Sequence, residues 1–314
     1  MFLVEFLLDQ VLPRPKESLP KILDPSCGSG IFLVAAYRRL ISEIITEKKT
    51  KLTPDELKNI LCDNLFGVDI NGEAIRVAAF SLYLTMLDYL EPKSLWQHQE
   101  LFPKLIGRNL FEKSFFEVSD LLKDIQFDII VGNTPWESGQ HVLKELKNSQ
   151  LKGKTIGDKQ LAQAFLWEAL KYAQPTTTIC LLVTAKGLLF NRSAPNQRFR
   201  KQFFSETNVQ TIINFSAMRF DLFENAIGPA AAIVYSPLGG DKTTDILYVI
   251  PKPSDETKKL GAIVVDDTDV KHIPQELALS NNQIWKAAMW GTKRLANTQK
   301  IRKLSNLAQL FPTT

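Results

Sequence analysis

The chain has 314 residues, is 45% hydrophobic and 23% charged, and carries a formal net charge of +4 at pH 7. It is long enough to bury a large core as one big α/β domain or two smaller ones, and its mild charge allows a nucleic-acid partner without arguing for one. It holds no run of the roughly eighteen apolar residues a spanning helix needs, and no basic leader before its first apolar stretch, so neither a membrane span nor a signal peptide is expected.

Taken in order, the chain alternates strand and helix, which predicts a doubly wound α/β fold with a mostly parallel sheet. Leu3-Val4-Glu5-Phe6-Leu7-Leu8 opens it. Ile22-Leu23-Asp24 ends a first strand and runs into Pro25-Ser26-Cys27-Gly28-Ser29-Gly30, after which residues 31–45 have helical spacing. Thr53-Pro54-Asp55-Glu56 has the form of a capping box. Leu65-Phe66-Gly67-Val68-Asp69 reads as a second strand, and residues 71–89 as a long amphipathic helix. Further strands are expected at 127–131, 178–184, 210–215 and 230–235, the last of them antiparallel, with a helix at 161–173. Residues 137–159 form a polar stretch, either a lid beside a site or a solvated connector. Gly239-Gly240-Asp241 and Pro251-Lys252-Pro253 are expected to end the sheet domain. This gives a domain over 1–240 and an extension over 241–314, with helices near 282–290 and 297–307.

Two strand ends carry chemistry. The first is the glycine turn at Gly28 and Gly30. Glycines after a strand let backbone come close to a nucleotide-like ligand. The dinucleotide fingerprint is excluded because position 33 is Leu, and no P-loop or Gly-x-Ser-x-Gly spacing is present. Asp69 ends the next strand, where a carboxylate can accept both hydroxyls of a ribose. A plain helix-entry turn with a strand-end Asp also accounts for these residues.

The second is Asn133-Thr134-Pro135-Trp136, after Phe127-Asp128-Ile129-Ile130-Val131-Gly132. The Asn133 side-chain oxygen and the Thr134 carbonyl could accept both hydrogens of an exocyclic amine and draw its nitrogen toward a nucleophilic form. Pro135 biases Thr134 toward extended backbone, fixing that carbonyl's aim. Trp136 offers a flat face for a base. Positioning and electrostatics then suffice, with no metal. Turn chemistry alone is the other reading of the tetrapeptide.

At these residues the chain resembles the N6-adenine-specific DNA methyltransferases of bacterial restriction-modification systems, most of all type I modification subunits and fused type II enzymes. The resemblance covers residues 1–240. It implies a Rossmann-like S-adenosylmethionine (SAM)-dependent methyltransferase fold with one antiparallel strand. It further implies methyl transfer to adenine flipped from double-stranded DNA, in the cytoplasm of a bacterium or archaeon. Asp24, Pro25, Ser26, Cys27, Gly28, Gly30, Asp69 and Ile70 match cofactor-binding positions, and Phe165 in Ala164-Phe165-Leu166 would lie against the cofactor adenine. Asn133, Thr134, Pro135 and Trp136 occupy the catalytic position. Phe223 resembles the aromatic residue that stacks with Trp136 on the flipped base.

The chain departs from the family pattern at three places. Thr134 replaces the usual first proline. Ser114 stands where an acidic residue follows the third strand, unless Asp120 takes that part. The Thr-Pro pair before Leu3 is missing. A fragment of a longer enzyme or a truncated gene product is therefore expected, with a recognition domain or specificity subunit elsewhere. A protein-glutamine methyltransferase of the same fold and a silent DNA-binding or assembly subunit are the alternatives. Lys144, Lys147, Lys152, Lys154, Lys159, Arg192, Arg198, Arg200 and Lys201 are candidate phosphate contacts, or solvated helix faces. Cys27, Cys62 and Cys180 suit reduced thiols. His98, His141 and His272 have no metal-ligand spacing.

Overall fold

A computed structural model describes residues 2–12, 18–91, 101–139, 151, 153–222, 228–238, 245–255, 259 and 261–290. Nine strands form one sheet in the order β3-β2-β1-β4-β5-β7-β6-β8-β9. They are β1 (Ile22–Asp24), β2 (Leu65–Asp69), β3 (Leu110–Glu112), β4 (Phe127–Asn133), β5 (Ala173–Thr184), β6 (Thr207–Asn214), β7 (Ala230–Pro237), β8 (Asp245–Val249) and β9 (Val270–Pro274). Strands β1 to β5 are mutually parallel, and β7 runs antiparallel between β5 and β6.

Helices α1 (Phe2–Val11), α2 (Ile31–Lys48), α3 (Pro54–Asn64) and α4 (Gly72–Leu87) cover one face, and α5 (Leu161–Ala169) and α6 (Ala194–Glu206) cover the other. Strand β5 shows why both faces are apolar. Cys180 and Leu182 point into the core under α1 and α2, while Ile179 and Leu181 point into the aromatic core of Phe165, Trp167, Phe199 and Phe203. Period-two alternation with both faces buried gives the continuous apolar run read from sequence.

Local chemistry sets the helix starts. Thr53 accepts from the Glu56 N–H and the Glu56 carboxylate accepts from the Thr53 N–H at 2.8 Å, which closes the predicted capping box. Asn71 caps α4 by accepting from the Glu73 and Ala74 N–H groups. The segment Leu3–Leu8 is helical, inside α1, and Arg39 of α2 clamps it through Glu5 and Asp9.

Three expectations change. The sheet does not stop at residue 240: β8 pairs parallel to β6, and β9 antiparallel to β8, so Pro251-Lys252-Pro253 lies within the sheet's span rather than past it. Antiparallel strands therefore number two, β7 and β9, where one was expected. The helix read to Ala173 closes at Ala169, followed by one 3₁₀ turn at Leu170–Tyr172, and Ala173 already starts β5. The expected helix at 282–290 is present as Ile284–Trp290, while 297–307 lies outside the described residues. Among the described residues no helix is long and apolar enough to cross a membrane.

Candidate active site

Strands β1 and β4 are adjacent and parallel, with Ile22 opposite Ile129 and Leu23 opposite Ile130. Their carboxyl ends, Asp24 and Asn133, therefore leave the sheet at the same edge. The approach between them is close. A side chain at Gly132 would place its Cβ 2.4 Å from Asp24 Oδ1 and 3.1 Å from Pro25 Cδ. Only glycine lets the second strand end pass the first.

The first turn is tied to β2. The Cys27 N–H donates to Val68 O at 2.9 Å, and the Gly28 N–H donates to Asp69 Oδ2 at 2.9 Å. Asp69 Oδ1 accepts from the Asn71 N–H at 2.8 Å, so one carboxylate joins the glycine turn to the start of α4. Each Asp69 oxygen retains a lone pair for a further donor. Gly28 and Gly30 have φ of 52° and 85°. A Cβ at Gly30 would lie 3.0 Å from Ala78 Cβ, whereas one at Gly28 would meet nothing within 4 Å. Gly30 thus serves helix packing, and Gly28 faces open space. Cys27 is buried, with its Sγ beneath Gly67, and burial together with the charges of Asp24 and Asp69 pushes its thiol well above the usual range. Its side chain acts as packing.

Asp24 is 1% exposed. Its Oδ1 accepts from the Ser26 N–H at 3.1 Å, while Oδ2 has no hydrogen-bond partner among the described residues. Burial first, and the nearby Asp69 charge after it, push its carboxyl up to about 8, against the lowering effect of the Ser26 N–H. An orphaned buried carboxylate oxygen beside an open glycine turn fits the ammonium end of SAM. Ile70 adds an apolar surface, 69% exposed, next to Asp69. Phe165 lies in the aromatic core, stacked on Phe115 at 5.3 Å and edge-on to Phe116 at 5.2 Å.

The third strand itself ends on Glu112, ahead of both Ser114 and Asp120. Glu112 stands in register with Asp69, and its carboxylate fills the space where a Gly72 side chain would go. Ser114 caps the turn Phe115–Glu117, and Asp120 is exposed on the short helix Ser119–Leu122. Strand β3 is three residues long, too short to announce itself in the sequence.

At the second strand end, Asn133 is exposed and Thr134 is buried. The Thr134 N–H and hydroxyl both donate to Leu182 O of β5. Trp136, half-buried, lines an open cavity of about 630 Å³ together with Gln160, Thr184, Lys186 and Asn191. These four wall residues had no motif to mark them. Lys186 begins a π-helical turn (Lys186–Phe190), and Gln160 Oε1 occupies the space a Gly187 side chain would need. Asp158 steadies the wall by accepting from Asn191, Ser193 and Asn196 on one oxygen.

Phe223, Lys144, Lys147, Lys152, His98 and His141 lie outside the described residues. Arg200 is no phosphate contact: it is 1% exposed and donates to Asn191 O and Asn282 Oδ1. Lys154 is engaged with Glu206 and sits over Trp167 at 4.5 Å from the ring centre. Arg192, Arg198 and Lys201 are exposed. Among the described residues no group of His, Cys, Asp and Glu has the makings of a metal site.

Known proteins resemble this arrangement. "Type II methyltransferase M.BstVI" of Geobacillus stearothermophilus is 26% identical over 218 residues, covering 68% of this chain and 36% of that protein. "Adenine-specific methyltransferase PglX" of Streptomyces coelicolor is 34% identical over 90 residues, 27% of this chain and 7% of that protein. The crystal structure of the type I restriction enzyme EcoKI M protein superposes with a TM-score of 0.56 at 14% identity, over 81% of this chain and 49% of that one. The chain thus spans less than half the length of each of these relatives. The fold is that of the SAM-dependent methyltransferases. The family described as Eco57I restriction-modification methylase matches residues 63–223, just over half of the sequence and inclusive of the Asp69 and Asn133 strand ends, and the chain belongs to that family.

Proposed function

We propose that this chain carries the methyl-transfer centre of a restriction-modification or related defence enzyme, acting on N6 of adenine in DNA. The observation that carries the reading is the shared edge of β1 and β4, which sets the glycine turn and Asn133 side by side. Bound SAM supplies an electrophilic methyl group. Asp24 and the Gly28–Gly30 turn hold its amino-acid end, Asp69 its ribose, and Ile70 and Phe165 its adenine.

Asn133 Oδ1 and the Thr134 carbonyl each accept one hydrogen of the target amine. That pair of acceptors pulls the nitrogen lone pair out of conjugation with the ring, toward the methyl group. Trp136 stacks on the extruded base at the mouth of the cavity, with Phe223 as the proposed second face. Pro135 holds Thr134 extended. Forming the nitrogen–methyl bond would break the sulfur–methyl bond and leave a neutral thioether, and the methylated nitrogen would release one of its protons to solvent. No side chain at the amine is asked to hold that proton, so electrostatic positioning is the catalyst. Residues 1–240 are assigned to the catalytic domain and 241–314 to an extension, which shares the sheet through β8 and β9. Site recognition is assigned to a domain or specificity subunit beyond this stretch, and the setting is the cytoplasm. The adenine-specific relative supports the choice of base.

Asn133→Ala is the direct test. Methylation of adenine-containing DNA should fall at least about a hundredfold, as for removal of one oriented hydrogen-bonding group. SAM affinity by calorimetry should stay within about twofold. Equal loss of both would contradict the assigned role.

A further inference from the structure

We infer that Ser26 is a positioning residue that links occupancy of the glycine turn to the aim of Asn133; this rests on the reading above. The Ser26 hydroxyl donates to the Asn133 carbonyl at 2.9 Å, a contact across 107 positions of sequence that joins the two motifs directly. That carbonyl belongs to the same rigid peptide unit as the Thr134 N–H, which donates to Leu182 O at 3.1 Å. The Asn133–Thr134 peptide is therefore held at both ends, by the turn after β1 on one side and by β5 on the other. Holding that plane restricts ψ of Asn133 and φ of Thr134, the backbone from which both proposed acceptors project, while Pro135 restricts ψ of Thr134.

Ser26 also faces the cofactor side. Its N–H donates to Asp24 Oδ1, and the second Asp24 oxygen is buried without a partner among the described residues. A cation reaching Oδ2 acts on the residue whose other oxygen orients Ser26. The path from ligand to Asn133 is then Asp24, the Ser26 N–H, the Ser26 hydroxyl and the Asn133 carbonyl, with Gly132 packed against Asp24 beside it.

The test is Ser26→Ala in the full chain labelled with ¹⁵N-threonine, with Ser26→Thr as the conservative partner. Adding SAM should move the Thr134 amide signal in the wild type. In Ser26→Ala, compared at SAM concentrations that saturate each protein, that movement should shrink by at least half. Ser26→Thr should restore it, because threonine keeps the hydroxyl and the position is only half-buried. In a methylation assay at saturating SAM, Ser26→Ala should lower kcat about tenfold, and Ser26→Thr should recover most of that loss. A Thr134 signal that moves equally in Ser26→Ala would overturn the role of Ser26 alone. Failure of the wild type to bind SAM would overturn the functional reading, and the inference with it.

Discussion

Thr134 and Leu182 are joined twice: the Thr134 hydroxyl donates to the Leu182 carbonyl at 2.8 Å, and the Thr134 N–H donates to the same oxygen at 3.1 Å. Leu182 stands opposite Asn133 in the β4–β5 register, so the ladder continues one residue past the strand end. The family's usual proline stiffens this position through its ring. Here a side-chain hydroxyl does the stiffening, so departure from the motif need not loosen the loop. Thr134→Val keeps the shape and the N–H but removes the hydroxyl. Stability should fall by about 1 kcal/mol, read as a lower urea midpoint at constant slope. An unchanged midpoint would remove the hydroxyl from the explanation of the loop.

Asp24 makes stability and cofactor binding depend on pH. In the unfolded chain an aspartate ionises at about 3.9. In the fold, burial pushes Asp24 up to about 8. Between those values the folded state keeps a proton that the unfolded state has lost, so the contribution of Asp24 to stability falls as pH rises through that window. Asp24→Asn should flatten this part of the apo protein's stability curve between about pH 5 and pH 8. It should also weaken SAM binding by tenfold or more, by removing the anion offered to the ammonium group. Calorimetry of the wild type near pH 7, in buffers of different ionisation enthalpy, should show proton release on binding, and Asp24→Asn should show none. Proton uptake by the wild type would reverse the sign of the argument.

What the sequence disclosed follows from how local each signal is. The glycine turn, the Thr53 capping box and the Asn133 tetrapeptide act through neighbours a few positions away, and all can be read in order along the chain. Glu112 could not be read that way: it gains meaning only by standing beside Asp69 in a three-residue strand. Arg200 sits in a basic run with Arg198 and Lys201 and looks like surface charge. Its neighbours Phe199, Phe203 and Phe204 turn that helix face inward, and one of its acceptors, Asn282, lies 82 positions away. Strands β8 and β9 follow a glycine pair that signals an ending, yet β8 finds β6 and the sheet continues. The cavity wall at Gln160, Lys186 and Asn191 is assembled from separate segments by Asp158 and a π-turn, neither of which leaves a motif.

Lys186 gives the last prediction. It is the one cation among the described residues lining the Trp136 cavity, and no ion pair or hydrogen bond of its ammonium is present among them. Its backbone is held firmly: the Gly187 N–H donates to Thr184 Oγ1, and Gln163 donates to the Gly187 carbonyl at 3.0 Å. On the proposed reading, a nucleotide with its base on Trp136 would carry its phosphates at the cavity mouth, where a lysine would bind them as a point charge without reading sequence. Lys186→Ala should therefore weaken DNA binding, measured by fluorescence anisotropy. It should also reduce the slope of log affinity against log salt by about 0.9, the loss of one phosphate neutralised. Lys186→Arg should keep the slope, and neither variant should alter SAM affinity. A slope unchanged in Lys186→Ala would place the ammonium in solvent, away from the bound strand, and leave the cavity to recognise the base alone.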